Sequence, residues 1–115
     1  MKKRDYRDYV QDIIDAINDL ETFTKDMKVG DFVKDRKTVN AVIRSIEIIG
    51  EAAKKIPESI RKKNIAIPWK KMAGMRDKLI HEYFGVDMET LWEVTNNDIP
   101  PLKPLIQNVL EELGK

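Results

Sequence analysis

From Tyr6 onward apolar residues recur mostly three or four positions apart, at Val10, Ile13, Ile14, Ile17, Leu20 and Met27, with Asp12, Asp15, Asp19 and Lys25 between them. A period near 3.6 lays one apolar stripe along a helix and leaves the charges on the opposite face. The spacing predicts an amphipathic first helix, which Val29-Gly30-Asp31 breaks. A second series, Val39, Val42, Ile43, Ile46, Ile49 and Ala53, predicts a second helix that ends before Pro57. Pro57, Asn64 and Pro68 bound a basic connector with Arg61, Lys62 and Lys63, which reads as a surface loop. Pro68 suits the first position of a third helix carrying Trp69, Met72, Met75, Leu79 and Ile80 up to Gly85. Asp87 is placed to cap a fourth through Leu91, Trp92 and Val94, which Pro100, Pro101 and Pro104 kink or interrupt. A last helix then carries Leu105, Ile106, Val109, Leu110 and Leu113. No useful run of alternating apolar and polar residues occurs, no repeat is evident and Gly is scarce. The predicted fold is therefore all-α, an antiparallel up-and-down bundle of four to five helices.

Composition narrows this picture. At 115 residues and 42% hydrophobic, the chain suits one domain over residues 1–115 with a true core. Charged residues make up 36%, yet 21 Lys+Arg against 20 Asp+Glu leave a formal charge of only +1. No global basic field advertises nucleic acid, so any RNA contact has to be local. With no Cys and one His, a thiol nucleophile, a disulfide, a Cys-based zinc site and a multi-histidine metal centre within one subunit are all excluded. Metal-free chemistry without a cofactor is the expectation. Met1-Lys2-Lys3-Arg4-Asp5-Tyr6 runs straight into alternating charged and apolar residues, and no long apolar span follows. That pattern predicts a cytoplasmic protein with no membrane partner.

The single histidine lies in Arg76-Asp77-Lys78-Leu79-Ile80-His81-Glu82-Tyr83. Phosphodiester chemistry near neutral pH needs a group that both takes and gives a proton, and a fixed cation for the charge that builds on phosphorus. His81 and Arg76 are of those types. On a helix Arg76 and Tyr83 return to nearly the same face, and Asp77 and His81 form a neighbouring pair. Arg76 and His81 themselves stand roughly 140° apart on an ideal helix. The same residues also fit a plain surface: Arg76 paired with Asp77 or Glu82, His81 a partly buried helix-end residue, and Tyr83 packing its ring with the hydroxyl in water.

Those residues sit in a wider context: Ile46-Glu47-Ile48-Ile49-Gly50-Glu51-Ala52-Ala53, Pro68-Trp69, Gly74-Met75-Arg76-Asp77, Leu79-Ile80-His81-Glu82-Tyr83, then Trp92 and Pro100-Pro101-Leu102. In this order they resemble the HepT-like branch of the HEPN superfamily over almost the whole chain. The central segment matches the family's pattern of Arg, a polar residue, three more residues, His, any residue, Tyr. The resemblance implies an all-helical homodimer that acts as a metal-independent RNA endonuclease. It would be the toxin of a type VII toxin–antitoxin pair, with an MNT-type nucleotidyltransferase as antitoxin and no DNA partner. Arg76 and His81 match the family's catalytic pair, Asp77 its polar position, and Tyr83 the tyrosine that the partner modifies with AMP.

A metal-free cleavage by the 2′-hydroxyl needs a base on one side of the phosphorus and an acid on the other, which one imidazole cannot supply at once. A two-fold dimer resolves this by bringing Arg76 and His81 of both subunits to one cleft. Asp77 would support His81. Glu47 and Glu51, four apart, could line the same cleft, but a solvated acidic stripe is the reading preferred for them. Arg61, Lys62 and Lys63 read as a solvated basic loop rather than an RNA contact, and Trp69 and Trp92 as core residues. Two alternatives stay open: a non-catalytic helical adaptor, or nucleotide-binding partner subunit, of a nucleotidyltransferase, and a purely structural dimerisation bundle.

Overall fold

Asp5 starts the first helix by accepting the backbone N–H of Arg7 at 2.8 Å, while the Asp8 carboxylate reaches back to the Asp5 N–H at 3.0 Å. This reciprocal pairing satisfies donors that a helix start otherwise leaves exposed. The computed structural model describes residues 4–82 and 88–114. Helix α1 runs Tyr6–Thr24 and buries Val10, Ile13, Ile14, Ile17 and Leu20 of the predicted stripe, while Met27, its expected last member, lies beyond the helix end. It ends where the buried Thr24 hydroxyl donates to the Leu20 carbonyl at 2.8 Å and Asp26 takes a left-handed backbone, φ 63°. Asx side chains tolerate that region better than most, so the chain reverses there at low cost.

Val29-Gly30-Asp31 does not simply break the helix, contrary to the sequence expectation. It opens a second short helix, α2 (Val29–Lys34), because the Asp31 carboxylate accepts the Lys28 N–H at 3.0 Å and caps the new start. The gain is the burial of Phe32, which is 0% exposed and tilts against the Trp92 ring at 5.2 Å. Asp35 then caps α3 (Arg36–Lys54) through the Thr38 N–H and hydroxyl, at 3.1 and 2.8 Å. Those two donors hold the Asp35 carboxyl below its ordinary range. α3 buries Val39, Val42, Ile46, Ile49 and Ala53, while Ile43 is only partly buried.

The basic connector is a helix rather than a loop. α4 (Glu58–Lys63) buries no residue, so it leaves no apolar period to read, but Arg61, Lys62 and Lys63 in its last turn complement the negative end of its dipole. α5 (Trp69–Glu82) follows Pro68, and Trp69 and Met72 fix its start in the core. α6 (Met88–Glu93) passes into a π-helical turn, Val94–Asp98, closed by Ile99 N–H to the Val94 carbonyl at 3.0 Å. Widening the helix ahead of Pro100-Pro101 is how the proline interruption is realised. α7 (Leu102–Leu113) holds Pro104 in its first turn, where a missing N–H costs nothing. Gly85 and Asp87, expected to end and begin helices, lie outside the described residues.

The fold is all-α, with more and shorter segments than the four to five helices expected. The packing order is α5 on α3, α3 on α1 and α1 on α7, with α2 bridging α3 and α6. Lys103 at the start of α7 pairs with Glu21 near the end of α1 at 3.4 Å, joining the start of one helix to the end of the other. One cluster of buried side chains, drawn from α1, α2, α3, α5, α6 and α7, forms the core. No helix among the described residues is long and apolar enough to cross a membrane.

Candidate functional site

The segment expected to carry the chemistry lies, as far as Glu82, in the second half of α5, whose first half is held by the core. Trp69 is 6% exposed and its indole N–H donates to the Asn64 carbonyl at 3.1 Å, tying the helix start to the end of α4. Asn64 in turn donates to the Ile60 carbonyl at 2.9 Å. Anchored in this way and packed along α3, α5 runs unbroken through Arg76, Asp77 and His81. The side chains of Arg76 and His81, and all of Tyr83, lie outside the described residues. The backbone alone gives a useful constraint, because five residues of regular helix separate Arg76 from His81 by about 7.5 Å along the axis and about 140° around it.

Asp77 is exposed, and its Oδ2 lies 3.9 Å from the ammonium of Lys54 at the end of α3. With both groups about half exposed, this pair adds little to stability, but it sets a cation beside the acid proposed to support His81. Lys54 is the neighbour that sequence reasoning missed. It lies 23 positions away on another helix, and no local signal links it to Asp77.

Among the described residues, Glu47 and Glu51 have neighbours other than Asp77. Glu47 pairs with Arg44 at 3.5 Å on its own helix. Glu51 is exposed and lines a shallow cleft against the start of α1, with Arg4, Tyr9 and Asp12 on the other wall. There Arg4 lies 2.6 Å from the Asp12 carboxylate and 4.8 Å above the Tyr9 ring, and its guanidinium is held more firmly protonated by Asp12. Glu51 is exposed, as a solvated stripe requires, whereas the Glu47 side chain is only 27% exposed. Trp69 and Trp92 are core residues as expected, Trp92 through its contact with Phe32.

The sequence profile of the ribonuclease HepT-like family matches residues 13–109, from α1 into α7. The chain belongs to the HepT-like ribonuclease family. A Thermococcus cleftensis protein named "Probable ribonuclease HepT" is 52% identical over 101 residues, covering 88% of this chain and 92% of its own. A Methanocaldococcus jannaschii protein named "Putative RNase MJ0125" is 47% identical over 113 residues, 98% of this chain and 97% of that one. A Caldanaerobacter subterraneus protein named "Putative RNase TTE0752" is 43% identical over 106 residues, 92% of this chain and 95% of its own. No solved structure gives a significant match. Membership in this family makes a nuclease the coarse functional class, and the family match spans the half of α5 where Arg76 and His81 lie.

Proposed function

We propose that this chain is the toxin of a toxin–antitoxin pair, a metal-independent RNA endonuclease whose site is completed across the axis of a homodimer. The observation that carries the reading is the placement of Arg76 and His81 on one unbroken helix in a chain of the HepT-like ribonuclease family. The 140° between them counts against one α5 acting alone and in favour of two α5 helices meeting.

In the reaction the 2′-oxygen of the RNA bonds to the adjacent phosphorus while the bond to the 5′-oxygen of the next nucleotide breaks. His81 of one protomer, neutral, takes the 2′-hydroxyl proton. His81 of the partner subunit, protonated, gives a proton to the leaving 5′-oxygen. Arg76 offers permanently charged, forked donors to the phosphate oxygens as charge accumulates, a task to which the point charge of Lys is less suited. Asp77, with Lys54 beside it, orients His81. Incubation with RNA in excess chelator is expected to give fragments ending in a 2′,3′-cyclic phosphate and beginning with a 5′-hydroxyl. Fragments that begin with a 5′-phosphate would refute this chemistry.

The antitoxin in this reading is an MNT-type nucleotidyltransferase that transfers AMP from ATP to the Tyr83 hydroxyl, releasing pyrophosphate. The added phosphodiester brings bulk and negative charge seven residues along the chain from Arg76, blocking the cleft and competing for its cation. A Tyr83→Phe protein should cut RNA as the parent does and show no increase in intact mass after incubation with ATP and the nucleotidyltransferase. A gain of mass on that variant would place the modification elsewhere.

A further inference from the structure

The near-neutral total charge conceals a sharp local asymmetry. Residues 59–76 contain Arg61, Lys62, Lys63, Lys70, Lys71 and Arg76 and not one Asp or Glu. Since the chain as a whole is +1, those six cations leave the remaining residues at one minus six, a net −5. The fold gathers most of this charge in one place. Arg61 and Lys62 from α4 and Lys70 and Lys71 from α5 line a groove of about 710 Å³, with Glu58 its one acid. Among the described residues only Lys62 of these four cations has an acidic partner, Glu58 at 3.5 Å.

Two features point from charge to a ligand. The first turn of α5 carries Lys70 and Lys71 and no acid, so two cations sit at the positive end of a 14-residue helix. That arrangement is unfavourable for the isolated protein and is relieved by an anion in the groove. Ile65, also on the groove wall, is 84% exposed, an apolar surface beside the cations that a base or sugar would cover. Trp69 contributes only an edge, being nearly buried, so the groove lacks an aromatic stacking platform and has the means to hold phosphates rather than to read bases.

We infer that the groove between α4 and the start of α5 binds the backbone phosphates of a single RNA strand and leads it along α5 toward Arg76. Naming the anion as RNA rests on the nuclease reading above. Lys70 lies on nearly the same face as His81, about 20° around the helix and about 16 Å along it, and about 9 Å along the axis and about 120° around from Arg76, a path that a few nucleotides cover. A single strand is the suitable form, because in-line attack by a 2′-hydroxyl requires the backbone to leave duplex geometry.

The test uses the full chain and a 2′-O-methyl oligoribonucleotide, which cannot be cut, with binding followed by fluorescence anisotropy across a range of salt concentrations. Losing two phosphate contacts in a Lys70→Gln, Lys71→Gln protein should weaken binding at low salt by tenfold or more. It should also reduce the slope of log affinity against log salt by about 1.4, at about 0.7 per phosphate for single strands. Lys70→Arg, Lys71→Arg should restore both, and Lys34→Gln, on exposed α2, should change neither. Parental affinity and slope in the double Gln protein would overturn the proposal. So would unchanged RNA binding with weakened capture by the nucleotidyltransferase, since the groove would then belong to a protein partner. The two readings fail separately: a parent that binds the oligonucleotide through the groove yet cuts no RNA refutes the nuclease, and a parent that cuts RNA while the Gln variant binds normally refutes the groove.

Discussion

Replacing His81 with alanine is expected to lower RNA cleavage by about 10²–10⁴-fold, the range that general acid–base groups typically supply. In the proposed dimer each site loses its base and its acid together, which places the expectation toward the upper end. The fold should not suffer, because α5 is held by Trp69 and Met72 in its first half and His81 lies two turns and more beyond them. Equal circular dichroism and melting temperature alongside the lost activity would separate chemistry from unfolding. A mixed dimer of one parental and one His81→Ala chain offers a sharper version, since a cleft that needs two imidazoles loses either its base or its acid and should cut far below half the parental rate. An alanine variant that cuts at the parental rate would remove His81 from the mechanism.

The largest expected effect on stability is at Phe32. Its side chain is fully buried under α2, against Trp92 from α6, so it joins two segments that are each only six residues long. Helices this short are not stable alone and depend on such contacts. Phe32→Ala should cost about 3–5 kcal/mol, the usual figure for removing a buried aromatic ring and leaving a cavity. Val33→Ala, one residue along and exposed, should change stability by less than about 0.5 kcal/mol. Urea unfolding of the two variants gives both numbers. A loss at Phe32 below about 1 kcal/mol would mean that α2 is not part of the core.

The contrast between long and short helices shows which parts of the fold a sequence can display. α1, α3 and α7 each bury one face, so their apolar residues recur with the helical period and their positions can be read from spacing alone. α2 buries Phe32 alone and α4 buries nothing, and a single residue or none makes no period. Asp31 illustrates the point: in sequence it accompanies Gly30 as a breaker, and only the position of the Lys28 N–H reveals it as a cap. Pro100-Pro101 foreshadows an interruption, but the i to i−5 bond of the π-helical turn depends on where α6 has to end.

At the candidate site, local and distant information divide in the same way. The order Arg76, Asp77, His81 on one helix follows from the sequence, as does the angular gap that argues for two subunits. The Lys54–Asp77 pair does not, because it exists only through the packing of α3 against α5. Glu47 and Glu51 show the reverse, since their shared helical face is legible in the sequence but its direction, toward α1 and its own Arg44, is not.

By itself the sequence determined the helical class, the faces of the long helices, the absence of thiol chemistry and the family, since each depends on residue identity and spacing along the chain. Tertiary structure alone decided that Phe32 joins α2 to α6, that Lys54 faces Asp77, and that cations from residues 61–71 share one groove. Contacts between distant residues arise from how helices pack, and packing is set by shape and burial summed over the whole core rather than by any short stretch of chain.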